Sequence, residues 1–565
     1  MEIAAATTAG SNVELAPELW LSIFANLPPL SQIAASDTCS GWRTLMSSSP
    51  ILWSSFTLTG PPPTIDVQSH VSCAGSVSRY IKNRYPPHLL NYFDGPLPVC
   101  NRTGQLSPTL SRVFSYTGAT QLSISIFLPH HSDSPDSRDD IVWPCILDLL
   151  GSLISPPNSS DGVQVTDRVR DMVVIVDHPG QLHKLMKACL NRIHTFALVS
   201  LLDVAAAAAY DVSWKYTVDN DLPPLSDLAE YISPNSSRLR ELRYSHTLVR
   251  LCGPLEPPLT SLQSLDFAPC HPAEIVTALL SAPKLRHLRV AVGSLYDWVD
   301  YDEIVTKFGE TQRAQARDIA AALDTLEIKD VDDRIPSRIA GILDCQRPRA
   351  VYLTYGPCHE PPSEPAEDSD SDDESPWYGL HNIDFSILTA VTIPTHASII
   401  VSLNKYVTFS MSNAHCISRA VTLPYDVLSP IHRSKALSTM RLTDGTSLHT
   451  LESLHINLNF LPDIALPRPL SPIPPSTRRP RVLLNLLSLT LDVDTLDDFL
   501  NARSRLATLG AIIPRSTEVT VELLPPHNWP SRERRGWIAW ERDESRQAMM
   551  WDLGMETNFV GWFHP

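Results

Sequence analysis

Residues 262–290 read LQSLDFAPCHPAEIVTALLSAPKLRHLRV. Leu262-x-x-Leu265-x-Phe267 opens this stretch, and Leu285-x-x-Leu288-x-Val290 closes it 23 residues further on. Leu239-x-x-Leu242-x-Tyr244 comes before both at the same interval. The alternating apolar residues at the end of each motif suit a strand with one buried face. Ile275, Val276, Leu279 and Leu280 lie between two of the motifs at helical spacing, so the unit is strand, turn, helix. Each unit leaves an apolar face that only a neighbouring unit can cover. A kept period of this kind therefore predicts a solenoid of parallel strands and helices.

Working outward, the same signature returns at Leu323, Leu326 and Ile328, and at Leu486, Leu489 and Leu491. Its fullest form is Leu451, Leu454, Ile456, Asn459 and Leu461, with the asparagine in the slot that N or C fills in such repeats. Weaker versions are Ile193–Phe196–Leu198, Leu388–Val391–Ile393, Val351–Leu353 and Val421–Leu423. Their spacing is irregular, which predicts a distorted array interrupted by loops.

Three long loops punctuate the pattern. Residues 59–110 form a linker and lead-in that begins with Pro61, Pro62 and Pro63. The insert 357–377 holds eight acidic side chains between Glu360 and Glu374 and no Lys or Arg there, a composition expected to stay disordered. Ser369 and Ser371 each have an acidic residue three places on, the pattern acidophilic kinases favour, so both are candidate phosphosites. Residues 462–480 form a proline-rich, partly extended loop. The expected repeat domain spans 111–525. Five of the 12 tryptophans, among them Trp537 and Trp551, fall in 526–565, which reads as an end cap or as a substrate-binding edge.

Composition narrows the chemistry. The chain has 565 residues with Pro 49 but only Gly 21, and no two glycines stand closer than the seven positions between Gly554 and Gly561. That excludes G-x-G-x-x-G, the phosphate loop and the nucleophile elbow, all of which need closely spaced glycines. A net charge of −17 disfavours nucleic acid as a partner. No stretch approaches the length of apolar sequence that a membrane span needs, and the first residues have no basic start or long apolar run, so no secretory leader is expected. Ten scattered cysteines without a C-x-x-C pair fit reduced thiols, and cytoplasmic and/or nuclear residence is expected. No H-E-x-x-H or convergent metal-ligand spacing is present, so no metal or cofactor is expected, and no cysteine is marked as a nucleophile.

The N-terminal segment differs from all of this. After a tail over 1–12, residues 15–56 read LAPELWLSIFANLPPLSQIAASDTCSGWRTLMSSSPILWSSF. Leu19, Ile23 and Leu27 recur at i, i+4 and i+8, with Trp20 and Phe24 beside them, which predicts an amphipathic helix that opens near Pro17 and stops before Pro28. Ser31 is placed to cap a second short helix through Ile33 and Ala34, and Trp42 and Leu45 mark a third. Three short helices cannot cover so much Leu, Ile, Phe and Trp by themselves, so an apolar face is left for a partner.

This segment, over 13–58, resembles an F-box. The matching positions are Leu15, Pro17, Glu18, Leu19, Ile23, Phe24, Leu27, Pro28, Cys39, Trp42, Arg43, Leu52 and Trp53, with Ala16 and Thr38 departing from the usual residues. The wording of the match is closest to the large F-box families of fungi, and the array behind it resembles an irregular leucine-rich-repeat domain. The resemblance implies an α/β chain, with a small all-α F-box of three helices followed by a repeat solenoid. It also implies that Leu15, Pro17, Leu19, Ile23, Phe24, Leu27, Pro28, Leu30, Ile33, Cys39, Trp42, Leu52 and Trp53 hold a Skp-type adaptor. Through that adaptor the chain would reach a cullin, while the repeats hold an unidentified protein substrate. The expected role is a non-enzymatic substrate receptor of an SCF-type ubiquitin ligase. A non-degradative repeat scaffold and a cryptic α/β enzyme are the other readings.

Overall fold

The computed structural model describes residues 15–59, 97–128, 144–150, 168–200, 226–291, 307–331, 343, 347–355, 383–464, 485–493, 517–523 and 557–560, apart from short breaks within these ranges. The chain divides into two compact units, Met1–Gln263 and Ser264–Pro565. Each is built on a sheet made almost wholly of parallel strands, with helices in the connections.

The first unit opens with α1 (Pro17–Ala25), α2 (Pro29–Thr38) and α3 (Ser40–Ser47), then one 3-10 turn, Pro50–Trp53. Proline opens α1 and α2 because its fixed φ suits the first helical position and its missing N–H has no partner there in any case. The second helix therefore starts at Pro29, two residues before the expected cap, and Ser31 lies inside it.

The chain then enters a sheet directly. β1 (Ser55–Thr59) pairs in parallel with β2 (Leu97–Pro98) and with β3 (Leu122–Leu128). β3 is followed in the sheet by β4 (Val169–Val176), β5 (Thr195–Ser200) and β7 (Glu241–Tyr244), all parallel. Helix α4 (Pro108–Tyr116) leads into β3 and α5 (Leu182–Cys189) into β5. A separate pair, β6 (Ser226–Asp227) with β8 (Val249–Arg250), completes the described strands of this unit.

Two elements cross the expected boundaries. β1 lies in the last residues assigned to the F-box, so helical module and sheet share one continuous stretch of chain. The division at 110/111 falls inside α4, because Leu110 and Val113 of the same turn are both buried and belong to one packing surface.

In the second unit the strand order is β9 (Ser264–Phe267), β10 (His287–Ala291), β11 (Thr325–Val331), β12 (Ala350–Tyr355), then β15 (Ser418–Pro424), β14 (Tyr406–Ser412) and β13 (His396–Val401), then β16 (Ser453–Asn457), β17 (Ser488–Val493), β18 (Glu518–Leu523) and β19 (Thr557–Val560). All neighbours are parallel except β14, which runs antiparallel to β13 and β15. α6 (Pro272–Ser281) links β9 to β10, and α7 (Glu310–Ala321) links β10 to β11 and packs beside α6. α8 (Pro430–Thr439) lies between β15 and β16.

Register explains how the motifs work. Leu265, Leu288, Leu326 and Val351 stand opposite one another on successive strands, and so do Phe267, Val290, Ile328 and Leu353. All eight are 3% exposed or less. The second row continues through Val421, Phe409, Ile399, Ile456 and Leu491 without a polar residue. In the first unit Phe56, Ile124, Met172, Phe196 and Leu242 form the equivalent ladder. The first leucine of each motif precedes its strand and is buried too, as at Leu239, Leu262, Leu285, Leu323, Leu451 and Leu486. Side chains alternate across a strand, so a slip of one residue would turn a whole row to the other face.

The meander is where expectation fails. Leu388 and Val391 are buried, but they belong to a 3-10 turn, Ser386–Ala390, and its exit; Ile393 is 62% exposed. The strand comes three residues later, because Pro394 cannot donate to a ladder and β13 begins only beyond it. Arg419 takes the position in register with Val351 and is 1% exposed. Its guanidinium donates to the carbonyls of Arg349, Ser418 and Pro348 at 3.0, 2.7 and 2.7 Å, which makes a buried charge tolerable. Near β16 the fully buried asparagine is Asn457, whose Oδ1 accepts from the Asn459 amide at 3.0 Å, while Asn459 is half-buried.

The tail over 1–12, the acidic insert with Ser369 and Ser371, residues 465–480 of the proline-rich loop and the five C-terminal tryptophans lie outside the described residues. Of the expected cap, Thr557–Val560 is seen to extend the sheet as β19.

Leu288→Ala removes a side chain that packs within the ladder and is expected to cost about 2–5 kcal/mol in urea unfolding. Ile393→Ser should move the midpoint by no more than about 0.5 kcal/mol, the range for exposed sites. Equal effects from the two would contradict the register described here.

Candidate partner-docking face

The three N-terminal helices sort their apolar residues into two sets. Inside are Phe24, Met46 and Trp53, each 1% exposed or less. Trp20 stacks on Phe24 at 5.8 Å between ring centroids and meets Trp42 at 4.9 Å, while Phe24 meets Trp42 edge-on at 5.4 Å. The indole of Trp53 donates to the Met46 carbonyl at 2.9 Å, so a large ring is buried with its one polar atom satisfied.

Short polar ties hold the helices at their angles. Gln32 Nε2 donates to the carbonyls of Phe24 and Leu27 at 2.9 and 3.0 Å, spanning the turn where α1 gives way to α2. Those carbonyls end a helix that proline prevents from continuing; the Phe24 carbonyl also accepts from the Leu27 amide at 3.0 Å, and the glutamine adds a donor to each. Cys39 caps α3, its sulfur accepting from the Trp42 amide at 3.4 Å. Arg43 Nε donates to the Ser36 carbonyl at 3.2 Å.

Outside is a different set. Leu15, Leu19, Ile23, Leu30 and Ile51 are 37%, 53%, 44%, 44% and 72% exposed. Leu19 and Ile23, four residues apart, share one face of α1, and Leu15 precedes the helix. Pro17 and Cys39 are also exposed, and Leu27, Ile33, Trp42 and Leu52 are half-buried. Pro28 lies outside the described residues. Phe24 and Trp53 are corrected: they lie beneath this face and shape it from inside. A linear motif records which positions matter without saying which side of a helix each occupies. Ile51, the most exposed of the set, carries no signal in the motif and was missed; its place between Pro50 and Leu52, on a turn too short to bury both neighbours, was the available hint. Fully burying an aliphatic side chain is worth about 1.5–3 kcal/mol, and with roughly half of each of these five still exposed, covering them is worth about 4–8 kcal/mol.

The face is fastened to the sheet through α4. Arg112 grips Asp37 with both terminal nitrogens, Nη2 to Oδ1 at 2.5 Å and Nη1 to Oδ2 at 3.0 Å. The same Nη2 donates to Ser36 Oγ at 3.0 Å, and Nε donates to the Tyr116 hydroxyl at 3.0 Å. Beside this clamp Trp53 meets Tyr116 at 5.2 Å and Phe56 meets Phe114 edge-on at 5.2 Å. The Arg112 guanidinium holds the Asp37 carboxyl below its ordinary range, and Asp37 in turn raises the affinity of Arg112 for its proton.

The F-box domain family model matches residues 14–54, the stretch that forms these helices. The chain thus carries an F-box, the domain class that docks Skp-type adaptors in SCF ubiquitin ligases. No curated protein matches the chain. Among the described residues, no helix is long and apolar enough to cross a membrane.

The clamp has a pH signature. Because the folded state holds Asp37 below its unfolded value of about 4, its contribution is complete above that value and is lost as pH falls through the folded one. Replacing Arg112 by Met should lower the urea midpoint at pH 7, and the gap from the parent chain should narrow near pH 3. A gap that is unchanged or wider in acid would show that the clamp is not what Arg112 contributes.

Proposed function

We propose that this chain is a substrate-recognition subunit of an SCF-type ubiquitin ligase. In this reading the F-box binds a Skp-type adaptor and, through it, a cullin, while the sheet domain holds a protein target. The observation that carries it is the exposed set of Leu15, Leu19 and Ile23 outside an interior that buries Phe24 and Trp53. The small module buries its own core and still leaves aliphatic surface with no use in the isolated chain.

The rest of the chain suits a holder of proteins. The face of the second unit's sheet opposite the apolar ladder carries Asp266, Arg289, Glu327 and Tyr352 in one row. Arg289 sits 3.6 Å from Asp266 and 3.4 Å from Glu327, so charge is fixed in place along the row, as specific recognition needs. This array is read as an irregular leucine-rich-repeat domain whose strand face engages the target. The chain acts without chemistry of its own: it raises the effective concentration of target lysines near a ubiquitin-charged enzyme held elsewhere in the assembly. The chain is proposed to act in the cytoplasm or nucleus.

Leu19→Asp and Ile23→Asp are expected to abolish co-purification with the adaptor while leaving the thermal midpoint nearly unchanged, since both side chains are exposed. Trp53→Asp should instead unfold the module. Adaptor recovered at parental levels with either surface variant would refute the docking assignment. A captured partner that is never ubiquitinated, in a reaction that ubiquitinates a control target, would favour the non-degradative scaffold.

A further inference from the structure

The charge of the chain is strongly negative, yet one edge of the first unit is basic. Arg170, His194 and Arg240 stand at or just before the starts of β4, β5 and β7, on adjacent strands. Backbone hydrogen bonds lock the three together: the His194 amide donates to the Arg170 carbonyl at 2.8 Å, and the Arg240 amide donates to the His194 carbonyl at 2.8 Å. Arg238 lies close enough to act on the same imidazole. Arg170, Arg238 and Arg240 are exposed and His194 is half-buried.

The charged groups facing His194 are these three arginines and Asp171. Asp171 is committed elsewhere, since it is 9% exposed, accepts from Ser123 Oγ at 2.9 Å and lies 3.6 Å from Arg170. The cations prevail. Burial first, then Arg240 and Arg170, hold the His194 imidazole below its ordinary pKa, the response of a histidine in a positive field.

The arrangement is a line. Arginines two strands apart are separated by about 10 Å, twice the inter-strand spacing. Acidic side chains on one face of an extended chain recur about 7 Å apart, and three of them cover that distance. A single compact phosphate would instead need its cations to converge on one point. A long nucleic acid would have to lie along a molecule carrying −17 beyond a patch this short.

We propose that the strand-start edge of β4, β5 and β7 is a docking surface for an Asp/Glu-rich segment of a protein the chain recruits, with Arg170, Arg238 and Arg240 pairing its carboxylates. The inference rests on the target-recognition reading above and names the chemistry of what is recognised.

The test uses the full chain purified with its adaptor. A fluorescein-labelled Glu/Asp-rich peptide is titrated by anisotropy against the parent chain and against an Arg170→Ala, Arg240→Ala double variant. Parental binding should weaken steeply with salt, and the variant should lose about tenfold or more in affinity, as expected for charge-assisted pairs. Thermal midpoint and adaptor recovery should be the same for both. Equal binding by the two chains would overturn the proposal. So would equal binding of the matching Gln/Asn peptide, or a preference for a phosphoserine peptide in a neutral background or for a single-stranded RNA oligonucleotide. Adaptor recovery in the same preparation separates the two readings. Adaptor bound without peptide sinks this edge and spares the F-box assignment, and peptide bound without adaptor does the reverse.

Discussion

The sheets of both units depend on alternate residues of neighbouring strands meeting in register. Each parallel strand buries one side, and burial is worth most when every neighbour presents an apolar residue at the same height. The row from Phe267 to Leu491 meets that demand on nine consecutive strands of the second unit. The helices are answers to the same demand, because a parallel strand can be reached only by a crossover that returns the chain to its starting side. Proline, abundant in the sequence, opens α1, α2, α4, α6 and α8, and it restarts helices as often as it ends them.

The F-box follows a different economy. Its interior is a small aromatic cluster and its exterior an aliphatic face, with little chain between the two. Such a module is held in place by what it touches, and Arg112 with Phe114 and Tyr116 provides that contact on the sheet side. The exposed face and the first strands of the first unit therefore form one mechanical piece.

Much of this could be read in advance. The L-x-x-L-x-L motifs located β5, β7, β9, β10, β11, β16 and β17, because two positions of each motif fall on the strand and one just before it. The F-box helices were legible from their apolar spacing and prolines. Val421–Leu423 likewise marked β15, but β13 and β14 were not legible: in β14 Val407, Phe409 and Met411 are buried and their neighbours half-buried, an alternation without the leucine that precedes the strand in the repeat motif. Arg419 could not be foreseen, because its place in an apolar row depends on carbonyls some seventy residues away. The motif also could not sort Phe24 and Trp53 from Leu19 and Ile23, since outward and inward are settled by packing.

The reversed meander has a bearing on how the chain is made. β12 pairs with β15, the last strand of the meander, while β13, the first, pairs with β16. Elsewhere a strand leaving the ribosome finds its partner already waiting on the N-terminal side. At β13 it does not: its neighbours are β14 and β16, both later in the chain, and the far side of β12 stays uncovered until β15 is completed at Pro424. Vectorial assembly, one strand at a time, must halt there until three strands have emerged and can be added together. Until then β12 presents an unpaired strand edge, the kind of surface that pairs with another chain.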